Sequence, residues 1–130
     1  MARVAIVDLD PDFQELVREL LVVQGWDVLP CPDEHSVLAV LQVWHPDVML
    51  LDLWLAAPEN GWKLLQQVLE NPVTQAIPIV ICSADVPSLH AHAAWLAQHQ
   101  IPMVEKPFDL CDLERTLHQA AARSRQCVAG

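Results

Sequence analysis

Asp8, Asp52 and Ser83 each follow directly on a short apolar run, and Lys106 stands just beyond another, after Glu105. Two carboxylates, a hydroxyl and an ammonium gathered at one edge are what phosphoryl transfer to a carboxylate needs. One carboxylate attacks, a divalent cation held by the carboxylates neutralises the phosphate, and the hydroxyl and ammonium bind its remaining oxygens. Each residue taken alone has a plainer reading. An aspartate after a strand is ordinarily a turn former or helix cap, Ser83 can cap a turn, and Lys106 can be a surface lysine. Only their joint placement speaks for chemistry, so the elements that carry them decide the matter.

Residues 4–7 form a continuous apolar run, the pattern of a strand buried on both faces. Asp10 and Pro11 then open a helix whose stripe of Phe13, Leu16, Val17, Leu20 and Leu21 repeats at three and four and ends near Gly25. Residues 26–29 read as an edge strand closed by Pro30 and Pro32, and residues 33–44 as a helix with Val37, Leu41 and Trp44 inward. A third strand over residues 48–51 stops at Asp52. A loop with Pro58, Asn60 and Gly61 leads to a helix from about residue 62 to 70, buried through Leu65, Val68 and Leu69. Residues 77–82 make a fourth strand, and residues 87–99 a helix with a thin stripe of Leu89, Ala93 and Leu96. A fifth strand spans residues 101–104. After the Lys106-Pro107 turn, Asp109 caps a last helix running to Arg123, with Leu110, Leu113 and Leu117 buried.

Strict alternation of strands and helices predicts an α/β fold, a doubly wound parallel sheet whose ligand site lies beyond the carboxyl ends of its strands. All four polar residues fall on that rim.

Composition narrows the function classes. The chain has 130 residues, 53% of them apolar, and is expected to form a single domain over residues 1–130. Acidic residues outnumber basic ones 17 to 7, so no basic stripe exists for direct nucleic-acid binding. The longest near-continuous apolar stretch, residues 48–57, is interrupted by Asp52 and too short for membrane insertion. No signal-peptide core follows the N-terminus, which predicts a cytoplasmic protein with reduced thiols at Cys31, Cys82, Cys111 and Cys127. Neither the cysteines nor the histidines have metal-site spacing.

Four segments in order resemble the receiver domain of two-component response regulators: Val4-Ala5-Ile6-Val7-Asp8, Pro46-Asp47-Val48-Met49-Leu50-Leu51-Asp52-Leu53, Ile77-Pro78-Ile79-Val80-Ile81-Cys82-Ser83-Ala84 and Lys106-Pro107-Phe108. The resemblance covers essentially the whole chain. It implies a flavodoxin-like strand order 2-1-3-4-5 with five helices. It further implies Asp52 as phosphoacceptor, Ser83 and Lys106 as phosphate-binding residues, and Mg2+ held by Asp8, Asp52 and the carbonyl of Trp54. A cis Lys106-Pro107 bond would aim the ammonium into the site. In such a phosphorelay a histidine kinase or phosphotransfer protein supplies the phosphoryl group. Its arrival on the phosphoprotein shifts a partner-binding face, here Met103, His90 and Trp95, toward a downstream protein. No output domain follows Arg123, so a stand-alone, non-enzymatic signalling domain is expected, with self-catalysed phosphotransfer at most.

Three positions depart from the family pattern. The usual pair of adjacent carboxylates after the first strand is Asp8 followed by Leu9, which removes a direct metal ligand and weakens Mg2+ binding. Asp10, one further on, caps the first helix. The loop after Asp52 carries Ala56 where a proline usually stands, with Pro58 and Gly61 displaced, and Trp54 can either shield the site from water or simply pack over the loop. Met103 replaces the usual aromatic switch residue.

Two other readings compete. One is a receiver-shaped docking module that works without phosphorylation, which Leu9 and Met103 favour. The other is a haloacid-dehalogenase-type phosphatase, because Asp8-Leu9-Asp10 resembles its nucleophile motif, with Asp8 attacking and Asp10 as acid. That reading lacks a late acidic pair and a cap segment, and it gives Asp52 no role.

Overall fold

Every residue from Val48 to Leu51 is fully buried, which a strand achieves only when both faces of its sheet are covered. The computed structural model describes residues 2–31, 36–53, 58–84, 86–106 and 109–129, with backbone alone for residues 58, 59, 86, 88 and 124–129. Its strands are β1 (Arg3–Val7), β2 (Asp27–Cys31), β3 (Val48–Asp52), β4 (Ile79–Ser83) and β5 (Met103–Glu105). They pair in parallel in the order 2-1-3-4-5. The helices are α1 (Pro11–Val23), α2 (Val37–Trp44), α3 (Pro58–Glu70), α4 (Val86–Ala91), α5 (Ala93–Gln98) and α6 (Leu110–Ala129). The fold is the expected doubly wound, flavodoxin-like sheet.

Successive strand residues point to opposite faces, and the sheet uses this to build two cores. Ala5, Val7, Met49, Leu51, Ile79 and Ile81 pack with Val37, Leu41, Leu65, Val68, Leu89 and Leu96, the face covered by α2 through α5. Val4, Ile6, Val48, Leu50, Val80 and Cys82 pack with Val17, Leu21, Leu113 and Leu117, the face covered by α1 and α6. Burial of this extent on both faces fixes the strand register, because a one-residue slip would exchange the two sets.

The helix count is corrected from five to six among the described residues: the helix expected over residues 87–99 is two. His92 leaves the helical region at φ −109°, ψ 9°, and its N–H reaches the Leu89 carbonyl at 3.2 Å, three residues back instead of four. Its ring lies against Trp62 at a centroid distance of 4.1 Å. Leu89 and Leu96 are the only fully buried side chains described in this stretch, so each short helix docks through one anchor.

Other boundaries move for identifiable reasons. β2 runs through Pro30 to Cys31 because it is an edge strand, where a missing N–H is tolerated. β4 starts after Pro78, whose carbonyl accepts the Met49 N–H at 2.9 Å. Leu16 and Leu110, expected inside, are exposed, while Gln14, Val17 and Leu21 are the buried residues of α1. Just past the end of α1, Gly25 has a φ of +96° that suits a residue without Cβ, with the Gly25 and Trp26 N–H groups closing on the Val22 and Leu21 carbonyls.

Candidate functional site

The strand register brings the four rim residues together. Val7 lies opposite Leu51, so Asp8 emerges beside Asp52, the last residue of β3. Asp52 pairs with Cys82 and Ser83 with Glu105, which puts Ser83 next to the start of the chain segment carrying Lys106. The Lys106 N–H continues the ladder to the Ser83 carbonyl at 2.9 Å. From there the Lys106 side chain crosses the rim. Its Nζ donates to Asp8 Oδ2 at 2.7 Å and to Asp52 Oδ2 at 3.0 Å.

The pocket is largely buried. Asp8, Asp52 and Ser83 are 2%, 7% and 1% exposed. Two buried carboxylates against one ammonium leave the cup with an excess negative charge, the arrangement that favours a second cation. Burial opposes the charge on Lys106, but the Cys82 sulfur and the two aspartates outweigh it and hold Lys106 above its ordinary value of 10.5. Burial pushes the Cys82 thiol well up, with Asp52 and Asp8 adding to the effect and Lys106 opposing it.

The first turn of α1 builds one wall. Asp10 Oδ1 accepts from the Asp12 and Phe13 N–H groups at 3.0 and 3.4 Å, so its carboxylate caps the helix, as its position suggested. The Asp10 N–H donates to Asp8 Oδ1 at 2.8 Å, fixing the other oxygen of that carboxylate. Phe13 lies under the lysine, 3.9 Å from Nζ to the ring centroid. Gln14, 7% exposed, shares the two hydrogens of Nε2 among the carbonyls of Ile6, Asp8 and Cys31 at 3.0, 2.9 and 3.0 Å, tying the end of β1 to β2. Sequence reasoning missed these last two roles. Gln14 carried a signal, because it stands three residues before Val17 and seven before Leu21, on the buried face of its helix.

Gly61 forms the opposite wall. A Cβ there would lie 2.1 Å from the Leu53 carbonyl oxygen, so α3 approaches the segment after Asp52 as closely as only glycine permits.

Oxygen donors suit Mg2+, and Asp8 and Asp52 present carboxylates on one buried rim. The donor set fits such an ion but is short. Leu9, 39% exposed, puts hydrocarbon where a further carboxylate would stand. Among the described residues no group of three or more His, Cys, Asp or Glu side chains can hold a metal. The expected ligand carbonyl of Trp54 and the expected cis bond to Pro107 lie outside the described residues.

The residues expected on a partner face divide. His90, on α4, is exposed and its Nε2 stands 2.9 Å from Glu105 Oε1. Met103, two residues before Glu105 on the same side of β5, is half-buried against the α2–α5 core. Trp95 turns toward α3, edge-on to Trp62 at 5.9 Å and stacked on His99 at 4.0 Å.

A 2-1-3-4-5 sheet with an aspartate pair, a serine and a lysine on its carboxyl rim defines a receiver-type domain. The sequence profile of the response regulator receiver domain matches residues 4–118, and the chain belongs to that family. It is 31% identical over 123 residues to the transcriptional regulatory protein TrcR of Mycobacterium tuberculosis, covering 94% of this chain and 46% of TrcR. The chain thus spans about half the length of that relative. In fold it is similar to NtrX from Brucella abortus, with a TM-score of 0.83 at 24% identity over 99% of this chain and 29% of NtrX. It is also similar to the receiver domain of the sensor histidine kinase PA1611 from Pseudomonas aeruginosa, with a TM-score of 0.77 at 18% identity over 93% and 98% of the two chains. That structure has a magnesium ion coordinated in its active site cleft. Among the described residues no helix is long and apolar enough to cross a membrane.

Proposed function

We propose that the chain is a signalling receiver that accepts a phosphoryl group on Asp52 from a histidine kinase or phosphotransfer protein. The observation that carries this reading is the Lys106 ammonium bound to both Asp8 and Asp52 within one buried cup. An oxygen of the Asp52 carboxylate attacks phosphorus, the bond from phosphorus to the donor's leaving atom breaks, and the leaving group departs with the electron pair. Lys106 then transfers its hydrogen bond from Asp52 to a phosphoryl oxygen, and Ser83, beside it on β4, takes another. Asp8 and Asp52 would hold a Mg2+ ion with the Trp54 carbonyl. When bound, the ion supplies charge neutralisation for the incoming phosphate.

The family's role is signalling rather than turnover of a substrate, and this reading includes work in the cytoplasm with no direct contact to nucleic acid. His90 and Met103, joined through Glu105 and β5, form the face a downstream protein reads, with Trp95 setting the packing of α5 behind it. To test the assignment, the protein is incubated with acetyl phosphate and Mg2+ and weighed intact. The expected result is one phosphoryl adduct that disappears in Asp52→Ala; no adduct, or one that survives that change, overturns it.

Leu9 favours a second reading, a docking module that binds its partner without phosphorylation. It predicts no adduct, together with partner binding that Asp52→Ala leaves intact. The phosphatase reading loses its acid, since the Asp10 carboxylate is the cap of α1.

A further inference from the structure

We propose that Phe13 is a positioning residue for Lys106, and that its ring determines how strongly the lysine competes with a divalent cation for Asp8 and Asp52. An ammonium has three N–H donors, and here two point at Asp8 Oδ2 and Asp52 Oδ2, at 2.7 and 3.0 Å. The ring of Phe13 faces the same nitrogen at 3.9 Å, close enough for a strong cation–π contact. The main chain of Phe13 is held in the first turn of α1, where its N–H donates to Asp10 Oδ1 at 3.4 Å.

This arrangement explains how the cup stays closed with one carboxylate fewer. The two oxygens that Lys106 occupies are one from each carboxylate that a metal would need, so lysine and metal compete for the same ligands. In a pocket with a third carboxylate the metal has a ligand the lysine does not touch. In this chain Leu9 stands at that position, and the balance rests on whatever holds the ammonium. The aromatic face stabilises the lysine-bound state without touching a metal ligand. Removing it shifts the balance toward the cation; keeping a ring of similar electron density preserves the balance.

The inference rests on the reading of this cup as a cation and phosphoryl site, but its readouts do not require phosphoryl transfer. Mg2+ affinity is measured by calorimetry on the full chain, and the ε-methylene proton shifts of Lys106 by NMR. In the parent protein the aromatic face is expected to move those protons upfield. Phe13→Leu, which keeps apolar volume and removes the ring, is expected to abolish the upfield shift and tighten Mg2+ binding roughly five- to thirtyfold. Phe13→Tyr restores both to the parent values. If Phe13→Leu leaves the lysine shifts and the affinity unchanged, or if Phe13→Tyr alters them as much as Phe13→Leu, the proposal is overturned. Phe13→Met repeats the test should the leucine variant fold poorly. Mg2+ binding by none of the proteins would overturn the proposed competition. A lost Asp52 adduct with intact ring effects would sink the phosphoacceptor reading and leave the placement of Lys106 standing.

Discussion

The side-chain amide of Gln14 donates to the main-chain carbonyl of Asp8 at 2.9 Å, so a helix residue holds the strand end that presents the pocket's first carboxylate. The same nitrogen serves the Ile6 and Cys31 carbonyls, which makes Gln14 the joint between α1, β1 and β2.

Replacing Gln14 by leucine keeps the volume and removes the donors. Carbonyls at the ends of β1 and β2 then lose a buried partner, which costs on the order of 2–3 kcal/mol. Urea unfolding should show this as a lower midpoint with little change in slope. Because the end of β1 is released, the yield of Asp52 adduct from acetyl phosphate should also fall. An unchanged midpoint would show that water substitutes for the amide.

Gly61 gives the second prediction. Its Cβ position lies 2.1 Å from the Leu53 oxygen and 2.5 Å from the Leu53 Cα, both backbone atoms that cannot swing aside. Gly61→Ala therefore has to push α3 or the chain after Asp52 outward. A loss of about 1–3 kcal/mol in unfolding free energy is expected, as for overpacking elsewhere. Backbone amide shifts should move at Asp52 and Leu53. Shifts confined to residues within α3 would mean that the helix alone yields and the pocket is indifferent to Gly61.

These two residues also mark what the amino-acid order conceals. The strands β1, β3 and β4 were legible because a strand covered on both faces carries a continuous apolar run, and the rim residues were legible because Asp8, Asp52 and Ser83 close those runs and Lys106 follows β5. Gln14 was passed over because a polar residue in a helical stripe ordinarily faces solvent, and only the convergence of three carbonyls makes its burial favourable. Phe13 read as part of an apolar stripe, and its contact with Lys106 joins residues far apart in the chain. The break at His92 sets its ring against Trp62 of α3, a contact that local periodicity does not register. Leu16 and Leu110 counted as core from their spacing alone, whereas the width of the actual stripe is set by how α1 and α6 sit on the sheet.

Leu9→Asp addresses the shortage of ligands directly. Leu9 is 39% exposed, so a carboxylate placed there keeps contact with solvent. The new carboxylate stands beside Asp8 and offers the cation a ligand that Lys106 does not occupy. Mg2+ affinity measured by calorimetry should rise roughly ten- to a hundredfold, at least the range seen when supporting ligands are removed from metal sites. The adduct on Asp52 should form at a lower Mg2+ concentration. No gain in affinity would mean that the side chain at position 9 cannot turn into the cup.

Alkaline pH supplies the last prediction. Cys82 and Lys106 both hold their protons above their ordinary values of 9.0 and 10.5 in the folded chain. For such a group the folded state binds the proton more tightly than the unfolded state does. Its contribution to stability is complete below the unfolded pKa and declines as pH climbs from there toward the folded one. The unfolding free energy should therefore be flat through neutrality, begin to fall near pH 9 as unfolded Cys82 ionises, and fall more steeply above about pH 10.5 as Lys106 adds its share. Cys82→Ala should remove the first part of the decline and reduce the second, because the Cys82 sulfur leads the causes that hold Lys106 up while the two aspartates remain. Lys106→Met should lower stability at neutral pH, by leaving two buried carboxylates without their ammonium, and should remove the second part of the decline. Equilibrium urea titrations from pH 7 to pH 11 measure all three curves. A parent curve that stays level to pH 11, or a Cys82→Ala curve that falls from the same pH as the parent, would contradict the assignment of these two groups.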